Sequence, residues 1–552
     1  MSDTGRGDLV ADVIVVGAGS AGAALAARLS EDPRRTVLLL EAGPVDRAPE
    51  LHVPAAFSRL FRGRYDWSYD TAPQERLAGR RVYWPRGRTL GGSSSLNAMM
   101  WVRGFAADYD EWADAAGPAW SWEQLAPLFR RVERTDDPAD PTQGVDGPQQ
   151  VEHQRDPRPQ TAAFLAAAVE AGHPVTPANL PLGQGFSQTM VTQHRGARAS
   201  TADTYLRPAR GRANLRIVTG ALVTRVMFEE ADAAAADADG VPRATGVYVR
   251  IDGVTRRATA RAEVVLAGGA INTPQLLLLS GIGPAADLTG LGIRPVVDAP
   301  GVGRNLQDHL VAGLAPAAHG GTLHTATRAR HLAPYLTRRR GMLTSNVAEA
   351  YGFIRTALAD DIGMPADLPD IEIIFAPAPY VGEGLVPTPG EGLTVGAILL
   401  RPQSRGEIRL ASADPTAAPV IDPRYLSDPG RVDERTMLAG LAECERLLRM
   451  PSLRAVTTGG WIQPEGGEAM TAAERAEASL RHHSHTLYHP VGTARMGTDA
   501  ASVVDPDLRV RGVRGLRVAD ASVMPVVIRG HTHAPSIVIG ERAADLLASP
   551  SR

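Results

Sequence analysis

Histidines are concentrated near the C-terminal end of this chain. Imidazole changes charge near neutral pH, so clustered histidines can exchange protons with a substrate, and they can also ligate a metal ion. Six of the 14 histidines in the sequence follow position 480: His482, His483, His485, His489, His531 and His533. The cluster indicates acid–base catalysis or a metal site.

The metal interpretation rests on spacing alone. His485 and His489 are four residues apart, which would place two ligands on one face of a helix. Pro490 argues against it, because the residue before a proline is pushed out of the α region. We therefore expect no metal, and we expect His482, His483 and His485 on a polar surface or hinge.

The N-terminal region has the pattern of a dinucleotide-binding fold. Four apolar residues, 13–16, lead into a GxGxxG turn and then into a segment typical of a helix. The glycines allow a pyrophosphate to approach the backbone, and the start of the helix holds its charge. The residues predicted to border the cofactor here are Gly17, Gly19, Ser20, Ala21, Gly22, Glu41 and Ala42.

Glu41 supports the interpretation of this motif as a dinucleotide-binding site. A second apolar segment, 37–40, ends on Glu41, 19 residues beyond the last glycine, where a carboxylate can bind a ribose hydroxyl. A carboxylate disfavours NADP, because a 2′-phosphate is accommodated by arginine. The motif leaves NAD and FAD open.

The composition excludes several classes of function. The net charge is −3, from 58 basic and 61 acidic residues, so no overall field favours nucleic acid or an anionic membrane. The sequence contains no lysine, which excludes Schiff-base chemistry and a Walker lysine. Its one cysteine, Cys444, excludes an intramolecular disulfide.

The expected compartment follows from the same features. With 44% hydrophobic residues the composition is that of a globular protein, and no apolar segment has the length of a membrane span. Residues 1–8 lack the apolar core of a secretion signal. We predict a cytoplasmic protein with no membrane span and no nucleic-acid partner.

A second glycine-rich segment spans residues 87–104. Two adjacent glycines and three serines leave backbone N–H groups open to another part of a large anionic ligand. An aromatic-rich stretch precedes it, and this stretch either walls a ligand site or covers an irregular core. Its aromatic residues are Phe57, Phe61, Tyr65, Trp67, Tyr69, Tyr83 and Trp84.

Six blocks of the sequence resemble those of the glucose-methanol-choline (GMC) family of FAD-dependent oxidoreductases. They are residues 87–104, 269–283, 301–309, 401–406, 489–493 and 518–522. The resemblance implies FAD rather than NAD. It also implies an α/β plus α+β fold, in which a Rossmann-type FAD-binding domain is joined to a substrate domain built on an antiparallel sheet. We expect the FAD domain at 1–310, the substrate domain at 311–480 and a return to the FAD domain at 481–552.

The resemblance also implies residue roles. His489 would take the hydroxyl proton of an alcohol and His531 would hydrogen-bond its oxygen, with the assignment of the base open between the two; His533 is given no role. The flavin and ribityl chain would be bordered by Gly91, Gly92, Asn97, Ala98 and Met99. Val223 would border the adenine, and Asp520 with Ala521 the ribityl chain or pyrophosphate.

Three further residues are expected to bear on how FAD or the substrate is bound. Leu96 stands where some choline-oxidising members carry a histidine covalently joined to FAD, so we expect non-covalent FAD. Glu349 either faces the pocket and holds a cationic group or is a structural glutamate, and we favour the second. Pro535 is suited to the first position of a helix over 536–547, whose positive dipole end would face the reduced flavin.

The implied function is oxidation of an alcohol to an aldehyde or ketone. A hydride would pass to flavin N5, and the flavin would be reoxidised by O2 or a quinone-like acceptor. The alternative is a hydroxynitrile lyase-like enzyme, which shares this fold and keeps FAD as a structural element.

Overall fold

Two sheets organise the molecule. The computed structural model describes residues 9–181, 183–229, 240–326 and 328–548. The N-terminal segment 1–8 lies outside the described residues, and so does the Ala/Asp-rich run between Glu229 and Gly240, whose composition predicts a solvated excursion between strands. Within the described part of the chain, no helix has both the length and the apolarity needed to cross a membrane.

The first sheet contains the glycine turn. Its central strands are buried along almost their whole length, as expected for parallel strands covered on both faces. Its strands run, in spatial order, Leu215–Thr219, Val37–Glu41, Leu9–Val16, Val254–Leu266, Ala244–Ile251 and Ala221–Phe228, and Leu516–Val518 also pairs with Val254–Leu266. Strand Ala244–Ile251 pairs antiparallel with both of its neighbours, Val254–Leu266 and Ala221–Phe228. The other pairings in this sheet are parallel.

The second sheet is antiparallel throughout. Its strands run, in spatial order, Thr457–Gln463, Leu310–Ala318, Thr394–Leu399, Ile371–Ala376, Ala350–Ile354 and Gly185–Gln188, with His485–Thr486 paired to Leu310–Ala318. Strand Gly185–Gln188 belongs to this sheet although it precedes residue 311. The domain boundaries at 311 and 481 stay a prediction.

Helices cover both sheets. The α-helices of at least six residues in the described ranges are Ser20–Leu29, Ala106–Ala116, Trp122–Val132, Pro159–Glu170, Gly269–Leu279, Ala285–Gly290, Ala329–Arg338, Val432–Leu448, Ala472–Ala478 and His533–Ala548. The first and last of these pack closely, because Gly540 has no side chain: a Cβ there would lie 2.3 Å from the carbonyl oxygen of Ala21. An ion pair also joins these two helices, because Arg28 Nε lies 2.9 Å from the carboxylate of the fully buried Glu541.

Two local predictions differ from the structure. The alternating sequence pattern of residues 214–228 predicts a strand, but the structure has two strands there, because the chain reverses at Gly220, whose φ is 67°. The last helix begins at His533, so Pro535 is its third residue rather than its first. Proline is tolerated throughout the first turn, where backbone N–H groups have no partner within the helix.

Candidate active site

One cavity of about 430 Å³ connects the glycine turn with the C-terminal histidines. Of the residues predicted for the site, all but Gly22 and Gly91 line it. These are Gly17, Gly19, Ser20, Ala21, Glu41, Ala42, Gly92, Asn97, Ala98, Met99, Val223, His489, Asp520, Ala521 and His531. The chain therefore brings together segments that lie up to about 500 residues apart in sequence.

The two glycines outside the lining act by packing. A Cβ at Gly22 would lie 2.0 Å from the carbonyl oxygen of Gly17, so only glycine lets the first helix approach the strand before it. The N–H of Gly91 donates to the carbonyl of Ala18 at 2.8 Å. Both glycines hold the cavity wall in place rather than forming its surface.

The two glycine segments touch each other. Gly92 has φ 53°, and a Cβ there would lie 2.7 Å from Gly19 Cα. At Gly19 itself the nearest atom to a Cβ would be Gly92 Cα at 4.0 Å, so this position is open. The backbone before the helix Ser20–Leu29 is therefore accessible from the cavity.

Two buried carboxylates brace the walls. Glu41 accepts hydrogen bonds from the N–H groups of Ala18 at 2.9 Å and Gly43 at 2.8 Å, and burial raises the pKa of its carboxyl to about 7. Asp520 accepts from the Gly269 N–H at 2.8 Å, at the start of a helix, and burial raises its pKa as well. Each carboxylate thus joins two segments of the lining.

Three histidines are in contact at the other end of the cavity. The rings of His489 and His531 are 4.7 Å apart between centroids, and His489 Nδ1 lies 3.0 Å from His309 Nδ1. His309 is fully buried, and His489 and His531 are 8% and 5% exposed. A single hydrogen is shared between the two Nδ1 atoms, so one ring donates and the other accepts.

The backbone and neighbours of His489 are fixed. Its N–H donates to Asp308 Oδ1 at 2.8 Å, directly after Tyr488, whose φ is 68°. Asp308 is held in turn by the hydroxyls of Tyr425 and Thr486, and burial raises its pKa to about 6. His485 lies in a short strand and His489 lies outside any helix, so their four-residue spacing forms no helical pair of metal ligands.

His531 has a carboxylate partner. Its Nε2 lies 3.1 Å and 3.3 Å from the two carboxylate oxygens of Glu372, which is fully buried in strand Ile371–Ala376. Since a carboxylate only accepts, Nε2 carries the hydrogen and donates it. The other ring nitrogen, Nδ1, is left for a ligand in the cavity.

Burial governs the protonation of the neighbouring histidines. It holds the pKa of His489 well below the usual 6.5, and electrostatic interactions with the basic side chains of His531, His309 and Arg86 act in the same direction. Burial, with the charge of His531, lowers the pKa of His309 to about 3. His489 and His309 are therefore neutral at pH 7.

His533 belongs to the cofactor end. Its Nδ1 lies 3.0 Å from Ser20 Oγ, beside the start of the first helix. Burial and then the charge of Arg198 lower its pKa to about 3, so it too is neutral. No role was predicted for His533 from the sequence, but it lines the cavity.

Aromatic rings wall the cavity near His489. Five rings form a closed circuit with centroid separations of 5.8 to 6.3 Å, in the order Phe57, Phe61, Tyr488, His485 and Tyr380. His485 is part of this wall rather than of a polar surface, because its short strand pairs with the second sheet.

Glu349 is structural. Its carboxylate accepts hydrogen bonds from the Arg158 N–H, the Thr161 hydroxyl and the Ser345 hydroxyl, each at 2.6 Å. It is fully buried and does not line the cavity. The interpretation of Glu349 as a structural residue therefore holds, and it is not a binding group for a cationic substrate.

The sequence comparisons decide the family. Models of the GMC oxidoreductase family match residues 11–311 and 402–540, which is most of the chain. The chain belongs to the GMC oxidoreductase family. The expected family and its fold are thereby confirmed.

Named GMC relatives extend over nearly the whole chain. An uncharacterised GMC-type oxidoreductase of Mycobacterium tuberculosis is 54% identical over 98% of this chain and 100% of its own. An alcohol dehydrogenase [acceptor] of Pseudomonas putida is 41% identical over 97% of this chain and 95% of its own. The crystal structure of pyridoxine 4-oxidase from Mesorbium loti superposes with a TM-score of 0.84 at 32% identity, covering 97% of this chain and 98% of that one.

Two residues of this GMC site had no role in our sequence analysis. His309 lies inside a block that resembles the family, but no local pattern shows which side chain it contacts. Glu372 carries a clearer signal, because it is the one charged residue in the buried strand Ile371–Ala376. A buried carboxylate needs a hydrogen-bond partner, and that requirement marks it as a candidate.

Proposed function

We propose that this GMC oxidoreductase binds FAD in the cavity and oxidises an alcohol to an aldehyde or ketone. The observation that carries the proposal is one continuous cavity with a dinucleotide-type glycine turn at one end and a neutral histidine at the other. The alcohol dehydrogenase and pyridoxine oxidase among its relatives support the same reaction class.

The lining fits FAD. The open position at Gly19 and the first helix turn beside it would hold the pyrophosphate, and Glu41 would receive a ribose hydroxyl. Asn97, Ala98 and Met99 would border the flavin, Val223 the adenine, and Asp520 with Ala521 the ribityl chain. When bound, FAD supplies an acceptor for the hydride that leaves the alcohol carbon.

His489 is the proposed base, acting through Nε2. For His489 to act as a base through Nε2, the hydrogen shared with His309 must lie on His489 Nδ1. With its hydrogen on Nε2, His309 accepts at Nδ1 from His489 Nδ1–H. His489 Nε2 is then left with a free lone pair, which can take the hydroxyl proton of the alcohol.

His531 is proposed to hydrogen-bond the substrate oxygen through Nδ1. Its Nε2 is committed to Glu372, so the ring is held in one orientation. The lowered pKa of His489 keeps its ring neutral at pH 7, which is the form that can take a proton. This supports His489 rather than His531 as the base.

FAD is proposed to be non-covalent. Leu96 is a buried residue of the cavity wall with only carbon atoms in its side chain, so it has no nucleophile for a flavin bond. Acid precipitation of the yellow protein should leave the colour in the supernatant and a white pellet. A yellow pellet after washing would contradict this prediction.

The acceptor and location also stay proposals. Reoxidation by O2 or by a quinone-like molecule completes the reaction. A cytoplasmic location agrees with the single cysteine, Cys444, which is free and buried.

Anaerobic titration with a panel of aromatic, aliphatic and sugar alcohols and choline tests the function. Bleaching of the oxidised flavin band is the expected result, and readmitted air then separates an oxidase from a dehydrogenase. A flavin that stays oxidised with every alcohol while the enzyme cleaves a cyanohydrin would contradict the proposal and identify a lyase.

A further inference from the structure

The helix Ala329–Arg338 turns an apolar face toward solvent. Four of its residues lie at positions i, i+3, i+4 and i+7, which is one face of a helix, and all four are exposed. They are Ala329, Leu332, Ala333 and Leu336. Leu332 is 47% exposed and Leu336 is 64% exposed. An amphipathic helix in a globular protein normally buries this face.

The orientation of the helix is fixed. Tyr335, 1% exposed, is the one residue of the helix in the buried class, and its hydroxyl donates to the carbonyl of His52 at 3.4 Å. Arg339 covers the same ring, with its guanidinium 4.7 Å from the ring centroid. Tyr335 is thus the residue that anchors the helix to the core, while Leu332 and Leu336 stay exposed.

The same segment is strongly basic. Residues 328–340 contain five arginines and no acidic residue, although the whole chain is slightly acidic. Arg340 pairs with Asp156 at 3.0 Å. Arg328, Arg330 and Arg338 are exposed and have no carboxylate partner within the described ranges. The apolar face is therefore flanked at both ends by unpaired positive charge.

A second exposed apolar segment lies nearby. Leu385 is 42% exposed and Val386 is 51% exposed. A Cβ at the adjacent Gly384 would lie 3.3 Å from Ser58 Cβ, and the loop is also linked to the segment before the helix by Thr388 and His324, 3.4 Å apart. Both apolar segments thus adjoin residues 52–58, which include Phe57 of the aromatic wall.

We propose that this surface, the helix Ala329–Arg338 with Leu385 and Val386, docks on an anionic lipid bilayer. Leucines that enter the interface together with arginines that meet lipid phosphates are the features of a helix lying on a membrane. The docked protein has the aromatic end of its cavity near the lipid surface, where an apolar reactant would reach it. This inference is independent of the proposed reaction.

Vesicle sedimentation tests the proposal with the full-length holoprotein. Wild type should pellet with vesicles of phosphatidylcholine mixed with phosphatidylglycerol, should stay soluble with phosphatidylcholine alone, and should be released by salt. The double variants L332E/L336E and R328Q/R338Q should each reduce the bound fraction by about tenfold or more. Unchanged flavin absorbance establishes that these variants are folded.

Matched controls lie elsewhere on the surface. V254E places a glutamate at a residue 56% exposed, and R76Q/R210Q removes two exposed arginines. Both controls should bind anionic vesicles like wild type. No sedimentation of wild type, equal binding to both lipids, or equal loss in the controls would overturn the proposal. A wild-type dimer in sedimentation velocity that L332E/L336E dissociates would assign the surface to a second copy instead.

Discussion

The charge state of His489 is set by its immediate neighbours. Burial disfavours the imidazolium, and electrostatic interactions with the basic neighbours His531, His309 and Arg86 act in the same direction. His309 then determines which of its two nitrogens is free, through the 3.0 Å contact between the Nδ1 atoms. A neutral imidazole with one free nitrogen is the form that a general base requires.

A pH profile reports this neutral state. The pKa of His489 lies well below 6.5, so its proton is lost at lower pH than from an ordinary histidine and the base form persists on mild acidification. The rate of flavin reduction at saturating alcohol should stay constant from about pH 8 to about pH 6. Stopped-flow absorbance under argon measures it. A fall to half the plateau rate near pH 6.5 would show a histidine with an unshifted pKa.

Glu372 is predicted to position His531. Glu372→Leu leaves His531 Nε2 without its acceptor and should slow flavin reduction by about tenfold or more, with FAD retained. Glu372→Gln preserves the shape and one acceptor oxygen and should recover most of the rate. Fitting the rate against alcohol concentration separates the limiting rate from substrate affinity. If both variants lost thermal stability equally but reduced the flavin at the wild-type rate, Glu372 would have only a packing role.

At the scale of elements, two glycine segments meet in the cofactor half of the cavity. Their contact at Gly19 and Gly92 leaves no room for a side chain at Gly92. Glu41 and Asp520 then tie each wall to a strand or helix end. The backbone, rather than charged side chains, therefore shapes the expected pyrophosphate site.

A pair of glycine variants tests this contact. Gly92→Ala places a Cβ 2.7 Å from Gly19 Cα, so it should raise the Kd for FAD by about tenfold or more as well as lower stability. Gly220 also has a positive φ, 67°, but its Cβ would meet no atom within 4 Å. Gly220→Ala should therefore lower the free energy of unfolding by only about 1–2 kcal/mol and keep FAD affinity. The two variants are compared by flavin-fluorescence titration and thermal unfolding. Similar FAD affinity in both variants would contradict the prediction that the contact between Gly92 and Gly19 shapes the FAD site.

Local patterns predicted the elements best. At the N-terminus, a short apolar run followed by closely spaced glycines is sufficient to predict a strand, a turn and a helix. The structure has the strand Leu9–Val16 and the helix Ser20–Leu29 there. The break at Gly220 was missed because both of its flanks have strand character. The start of the last helix was placed two residues late because proline fits anywhere in the first turn.

At the scale of the whole molecule, the site depends on both sheets. His309, Glu372 and His489 come from regions of the chain far apart in sequence, but all three lie in or beside strands of the antiparallel sheet. Glu372 then contacts His531, which precedes the last helix. Sequence motifs identified His489 and His531, since each lies in or beside a recognisable block. They could not identify Glu372, whose role depends on a contact across 159 residues.

The net charge of the chain also failed to predict a local property of the surface. A net charge of −3 argued against an anionic membrane, yet five arginines within residues 328–340 form a local basic region. Exposed charges are screened over about 10 Å, so a local cluster rather than the total decides surface binding. Neither composition nor motif shows that the apolar face of this helix points outward, because that depends on Tyr335.

The most direct test of the account is anaerobic stopped-flow reduction of the flavin in His489→Ala, beside wild type and His482→Ala. His482 is exposed and serves as the control. Removing a general base should slow reduction about 10²- to 10⁴-fold while FAD stays bound, and the control should match wild type. Reduction of His489→Ala at the wild-type rate, with FAD bound, would remove His489 from the mechanism.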